Sequence, residues 1–134
     1  MRCLIAALAV GLLVAPASAQ KAPAQKQCPF GYSEREEVTN AIKKASCDKA
    51  VELFEACQTN TGGDTAYGEA VVAVCEPSFI AALKPDRKRA YTAAHERCTS
   101  KYAKKSGTMY RSFEAFCHAE VAQKYARRFA KAAR

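Results

Sequence analysis

The spacing of six cysteines constrains this chain more than any other feature. They are dispersed, and the two nearest neighbours, Cys47 and Cys57, are ten positions apart. Zinc, haem and dithiol redox sites use closely spaced cysteine pairs, which this sequence lacks. The even number and wide spacing therefore predict three structural disulfides, with no resident metal and no cofactor. The six residues are Cys28, Cys47, Cys57, Cys75, Cys98 and Cys117.

The N-terminus has the features of a cleaved signal peptide. Arg2 provides a basic start, an apolar run extends from Leu4 to Val14, and small residues precede a cleavage site after Ala19. The apolar run is too short to cross a bilayer as a stable helix. Cleavage also removes Cys3, which leaves an even number of cysteines. We expect a periplasmic or secreted protein without a transmembrane helix, composed of a signal peptide (1–19), a disordered leader (20–27) and one disulfide-stabilised helical domain (28–134).

Apolar residues recur at helical spacing through the rest of the chain, and no stretch alternates as a half-buried strand does. We predict an all-α fold, a small bundle of about five helices in antiparallel hairpins. The helices are expected to start near residues 34, 46, 64, 85 and 108, with a short helical segment over 78–83. Ser33 and Glu36 form a capping-box pattern. The adjacent Gly62 and Gly63, and Pro77, are expected to interrupt helices.

Helical hairpins narrow the pairing of the cysteines, although sequence alone leaves many connectivities open. Cys47 and Cys57 are separated by about 15 Å along one helix, so they cannot pair with each other. Residues equidistant from a hairpin turn lie side by side, which places Cys47 beside Cys75. The same argument predicts Cys98 with Cys117, and Cys28 near the end of the second helix with Cys57.

The Cys47-x9-Cys57 spacing resembles one half of the twin motif of small helical-hairpin proteins that are oxidised in the mitochondrial intermembrane space. The resemblance covers residues 47–57, and a second matching pair is absent. It implies a disulfide-stapled helix pair and assigns no family to the chain.

Charge is distributed unevenly along the chain. The whole sequence has 21 basic and 13 acidic residues, a net charge of +8. Residues 20–69 contain six basic and eight acidic side chains, whereas residues 70–134 contain fourteen basic and five acidic ones. The C-terminal half is therefore where an anionic partner is expected to bind. The candidate binding residues are Lys84, Arg87, Lys88, Arg89, Arg97, Lys101, Lys104, Lys105, Lys124, Arg127, Arg128 and Lys131.

The two histidines, His95 and His118, offer a second hypothesis. Both fall on the predicted terminal hairpin, and its expected register places Glu120 opposite His95 and Arg97 opposite His118. His95 and Glu120 are therefore candidates for a weak metal site or an acid/base pair. Ordinary ion pairs on a helix surface are the favoured explanation of these residues.

The sequence favours a binding protein over an enzyme. It contains no nucleophile elbow, no glycine-rich phosphate loop and no zinc-protease motif. We expect an exported helical binding or envelope-associated protein with a cationic C-terminal surface for an anionic polymer, a lipid headgroup or an acidic protein. Nucleic acid is a poorer candidate because an exported protein meets little of it. The alternative is a small secreted metal-binding protein or enzyme centred on His95 and Glu120.

Overall fold

The computed structural model describes residues 27–31 and 34–133. Over these residues the fold is all-α, as predicted, with five α-helices and no strand. The helices are α1 (Arg35–Lys44), α2 (Cys47–Cys57), α3 (Asp64–Cys75), α4 (Pro85–Tyr102) and α5 (Thr108–Ala132), and two 3₁₀ turns (Glu76–Ser78 and Ile80–Ala82) join α3 to α4. The predicted signal peptide, residues 20–26 of the predicted leader, and Ser33 of the capping box lie outside the described residues.

The helix boundaries have local causes. Ser46 precedes α2 in an extended conformation, although its side chain makes no capping hydrogen bond. Pro77 lacks a backbone N–H, and α3 gives way to a 3₁₀ turn at that point. Pro85 occupies the first turn of α4, where its missing donor has no cost. Gly107 precedes α5 with a φ of 108°, a conformation that other residues adopt only with strain.

The core is formed mainly by α1, α2, α3 and α5, with α3 packed against the other three. Its largest fully buried side chains include Phe54 of α2, Ile42 of α1 and Phe79 of the connecting segment. Phe54 stacks on Phe116 of α5 with ring centroids 3.9 Å apart. Among the helices, α4 makes its main contacts with α5 alone. The terminal hairpin therefore joins the rest of the core chiefly through α5.

Helices α3 and α5 approach each other closely at Gly68. A Cβ atom built on this residue would lie 2.8 Å from both the Cβ and the carbonyl oxygen of Ala115. Gly68 is buried, and Ala115 is 6% exposed. The absence of a side chain at position 68 thus sets the distance between the two helices.

Three disulfides staple the helices, and all three predicted pairings are confirmed. The Cα–Cα distances are 4.6 Å for Cys28–Cys57, 4.7 Å for Cys47–Cys75 and 5.6 Å for Cys98–Cys117, which lie in the usual range for bridged cysteines. Each bridge closes a loop of 19 to 29 residues. In the chain-entropy model such a loop contributes about 3 to 4 kcal/mol to stability.

None of the helices in the described part of the chain is both long and apolar enough to span a bilayer. The three disulfides fit a protein that matures in an oxidising compartment, since reducing conditions in the cytosol disfavour such bonds.

Candidate functional site

Four of the predicted basic residues line one groove between α4 and α5. We call this groove, which has a volume of 320 Å³ and lies over the Cys98–Cys117 disulfide, the hairpin groove. Arg97 and Lys101 come from α4, whereas Lys124 and Arg128 come from α5, and all four are exposed. The remaining lining residues are Ala94, Cys98, Cys117, Val121 and Tyr125.

The lining of the hairpin groove combines positive charge with apolar surface. No carboxylate is among the described residues that line it. Val121 and Tyr125 belong to the apolar stripe that attaches α5 to the core, and both are partly buried. An anionic group entering the groove would meet cations from two helices and an apolar, aromatic surface between them.

The other predicted basic residues lie elsewhere. Arg127 binds Asp48 of α2 at 2.7 Å, and Lys131 lines a separate cleft beside that pair. Arg89 pairs with Asp86 in the first turns of α4, near Lys84, Arg87 and Lys88. Lys104 and Lys105 follow α4, and the ammonium of Lys105 lies 5.9 Å from the ring centroid of Tyr110. The structure thus brings together four of the twelve candidates in the groove and disperses the others.

A second cleft, the histidine cleft, lies between α3, α4 and α5 and has a volume of 530 Å³. His95 and His118 meet at its wall, with their Nδ1 atoms 2.6 Å apart, their ring centroids 4.8 Å apart and an angle of 16° between the ring planes, so the rings meet edge to edge. Its lining residues are Thr65, Gly68, Glu69, Val72, Ala73, Glu76, His95, Arg111, Glu114, Ala115 and His118. It shares no lining residue with the hairpin groove.

The surroundings of His118 favour a proton on its Nε2 atom. Its Nε2 lies 3.6 Å from a carboxylate oxygen of Glu114 and 3.4 Å from the hydroxyl oxygen of Thr99. We assign the proton to this Nε2, which faces the carboxylate. The Nδ1 of His118 then accepts a hydrogen bond from the Nδ1–H of His95, and the Nε2 of His95 has a free lone pair. That Nε2 is buried without a hydrogen-bond partner among the described residues.

Burial shifts the pKa values of His95 and of the adjacent Tyr91. Burial lowers the pKa of His95, and the neighbouring His118 lowers it further, whereas Glu76 opposes the shift. Tyr91 packs edge-on against the His95 ring at 4.5 Å and donates its hydroxyl proton to Glu76 at 2.9 Å. Burial, reinforced by this hydrogen bond, raises the pKa of Tyr91 above its usual range. His95 is therefore neutral near pH 7.

The expected pairing of His95 with Glu120 is wrong. The side chain that faces His95 is His118, while Glu120 is exposed on α5. Arg97, expected opposite His118, lines the hairpin groove instead. The Cys98–Cys117 pair predicts which residues of α4 and α5 lie at the same level along the hairpin. It does not predict which face of α5 is turned toward α4, and in the structure that face carries His118.

Sequence reasoning also missed the carboxylates of the histidine cleft. Glu69 lies within α3, and Glu76 follows the last residue of that helix. Glu114 precedes His118 by one helical turn on α5. The Glu114-x3-His118 spacing was a visible signal, because residues four apart lie on the same helix face. The approach of Glu69 and Glu76 depends on the packing of α3 against the terminal hairpin, which no local pattern indicated.

No protein-family model, curated protein or solved structure matches this chain. Function is therefore inferred from the two clefts.

Proposed function

We propose that this protein is an exported binding protein whose hairpin groove holds an anionic group of an envelope component or of an acidic protein. The observation that carries the proposal is the convergence of Arg97, Lys101, Lys124 and Arg128 on one groove. Like charges repel, so a cluster of four cations has an electrostatic cost that a bound anion relieves.

The surrounding helices extend this charge beyond the groove. Arg87 precedes Ala94 by about two helical turns, which places it on the same face of α4. The bound group is therefore expected to belong to a partner with more than one negative charge. The apolar side chains of Val121 and Tyr125 would contact the carbon skeleton that bears the anion.

The expected export of the protein supports the binding of an anionic partner. The N-terminal segment predicts export, and three disulfides fit an oxidising environment. In the periplasm, which we propose as the location, anionic lipid headgroups, anionic polymers and acidic proteins are all accessible to a small cationic protein.

Binding should depend on the groove and on ionic strength. The oxidised protein lacking residues 1–19 would be titrated with vesicles containing an anionic phospholipid, with polyphosphate and with an acidic peptide. The double variant Arg97→Gln/Lys124→Gln should bind its best ligand at least tenfold more weakly, and high salt should weaken binding by the parent.

A matched control removes the same charge elsewhere. Lys43→Gln/Lys44→Gln changes two exposed lysines of α1 and should leave affinity within about twofold of the parent. Equal losses in the two double variants would assign binding to net charge and contradict a groove site. Binding that is insensitive to salt would contradict the electrostatic basis of the proposal.

A further inference from the structure

The Cys98–Cys117 disulfide differs from the other two in its place in the fold. The four cysteines of the other bridges all belong to the main hydrophobic core or pack against it, whereas Cys98 and Cys117 do not. Those two bridges also interlace along the chain, while Cys98–Cys117 closes a loop of its own. Opening this bridge would therefore disturb the core least.

The charges around this disulfide favour its reaction with thiols. Both cysteines line the hairpin groove together with its four cations, and no carboxylate is among the described residues of that lining. The attacking group in thiol–disulfide exchange is a thiolate, and nearby cations stabilise both the attacking and the departing thiolate. A groove lined by cations also concentrates anionic reactants. Beside Cys47, by contrast, Asp48 pairs with Arg127.

We propose that the Cys98–Cys117 bridge is an exchange site for small thiols that carry a negative charge, an inference that rests on the groove charges invoked for the proposed function. The thiolate sulfur of the incoming molecule attacks the Sγ atom of Cys117, which is partly buried, whereas Cys98 is 2% exposed. A new S–S bond forms at Cys117, the Cys98–Cys117 bond breaks, and its electron pair stays on Cys98 as a thiolate. The incoming sulfur is oxidised and that of Cys98 is reduced, so the step needs no other oxidant or reductant.

The cations of the groove offset the cost of the departing thiolate. Burial opposes a charge on Cys98, because a thiolate loses hydration there. Arg97 precedes Cys98 in the chain and Lys101 follows it by three residues, and both line the groove with it. The anionic group of the incoming thiol would meet Lys124 and Arg128 on the opposite helix.

Helix α4 has other attachments that remain when this bridge opens. Tyr91 packs edge-on against Phe79 and Tyr125, with ring centroids 5.2 and 4.9 Å apart, and donates its hydroxyl proton to Glu76. The two interlaced disulfides stay closed on the other side of the molecule. Exchange at Cys117 is therefore expected in the folded protein.

The test compares three two-carbon thiols that differ in charge: anionic 2-mercaptoethanesulfonate, neutral 2-mercaptoethanol and cationic cysteamine. The oxidised protein lacking residues 1–19 would be treated with each thiol at equal thiolate concentration and low salt, quenched by alkylation and mapped by mass spectrometry. With mercaptoethanesulfonate, Cys98–Cys117 should open at least tenfold faster than either other bridge. It should also open at least tenfold faster with this thiol than with cysteamine, and 2-mercaptoethanol should fall between them.

The groove variant shows whether local charge causes the preference. Arg97→Gln/Lys124→Gln removes one cation from each helix and should reduce the ratio of the mercaptoethanesulfonate rate to the cysteamine rate at least threefold. Lys43→Gln/Lys44→Gln removes the same charge from exposed positions of α1 and should leave that ratio close to the parent value.

Three results would each overturn the inference: earlier opening of another bridge, equal rates with the anionic and cationic thiols, or a reduction of less than threefold in the groove variant. Exchange requires charge near the sulfurs and no stable complex. Selective exchange without reversible binding of vesicles, polyphosphate or acidic peptide would therefore contradict the proposed function alone. Groove-dependent binding without selective exchange would contradict this inference alone.

Discussion

At the scale of single residues, Asp64 shows how a buried charge organises this fold. It is fully buried at the first position of α3. Its carboxylate accepts hydrogen bonds from the backbone N–H groups of Thr59 and Asn60 and from the hydroxyl of Ser112 on α5. One side chain thus fixes the α2–α3 loop, begins a helix and joins α3 to α5.

Replacement of Asp64 by Asn should destabilise the protein strongly. The amide group presents an N–H₂ donor where the carboxylate presented an acceptor, so at least one buried donor loses its partner. We expect a loss of about 2 to 3 kcal/mol in the free energy of unfolding, measured by chemical denaturation. Asp48→Asn, at the exposed start of α2, should cost less than about 1 kcal/mol. Similar losses in the two variants would contradict the role assigned to Asp64.

At the scale of elements, two features of the sequence were sufficient to predict the helix bounds and the disulfide pairing: the breaks in the helical pattern and the symmetry of helical hairpins. Proline at positions 77 and 85 and the two adjacent glycines placed the helix ends. Cysteine pairing followed because bridged residues must lie at equal heights on neighbouring helices. The contact between His95 and His118 could not be predicted in this way, because the residues that face each other depend on how each helix is rotated about its own axis. That rotation is set by the packing of α3 against α5, and therefore by contacts that are remote in sequence.

Gly68→Ala tests the packing that sets this rotation. Alanine favours a helix over glycine by about 1 kcal/mol, but the new methyl group would overlap the backbone of Ala115. We expect a net loss of about 1 to 3 kcal/mol in the free energy of unfolding, because overpacking outweighs propensity.

Gly62→Ala provides the comparison for this substitution. Its new Cβ would lie 3.8 Å from the nearest atom, a methyl carbon of Thr108. Stability should stay within about 0.5 kcal/mol of the parent. An increase in stability in Gly68→Ala would show that α3 and α5 can separate freely, contrary to the close approach described above.

At the scale of the whole molecule, charge and disulfides divide the chain into two parts. The basic residues that form the hairpin groove belong to α4 and α5, whereas α1, α2 and α3 provide most of the core. The unequal distribution of charge was readable from composition. The convergence of four cations was not, because it depends on which faces of α4 and α5 pack together.

The stability of the whole protein should fall in alkaline solution. Burial raises the pKa of Tyr91, where the hydrogen bond to Glu76 adds to a large shift, and it also raises the pKa of Tyr67, where Arg35 opposes the shift and Asp64 adds to it. In the unfolded chain tyrosine ionises near pH 10. Below this pH tyrosine is protonated in both states and makes no contribution to the pH dependence of stability. Above it the unfolded state loses its proton first, so the free energy of unfolding decreases as pH rises.

Urea unfolding at pH 8 and at about pH 11 measures this decrease. Tyr91→Phe should reduce it most and Tyr67→Phe to a smaller extent, because phenylalanine has no group to ionise. Tyr110→Phe changes a less buried tyrosine and should leave the decrease close to that of the parent. A decrease that is unchanged in Tyr67→Phe would assign the alkaline sensitivity to other groups.

The order of the disulfides along the chain has a consequence for its covalent continuity. Cys28–Cys57 and Cys47–Cys75 interlace, whereas Cys98–Cys117 closes a separate loop. A single peptide-bond cut inside either region leaves one covalent molecule. A cut between Cys75 and Cys98 leaves two chains that no covalent bond joins. In the 3₁₀ turns and the first part of α4, a single cut by a protease would therefore leave the cationic hairpin, with its own disulfide still closed, attached to α1, α2 and α3 by packing alone.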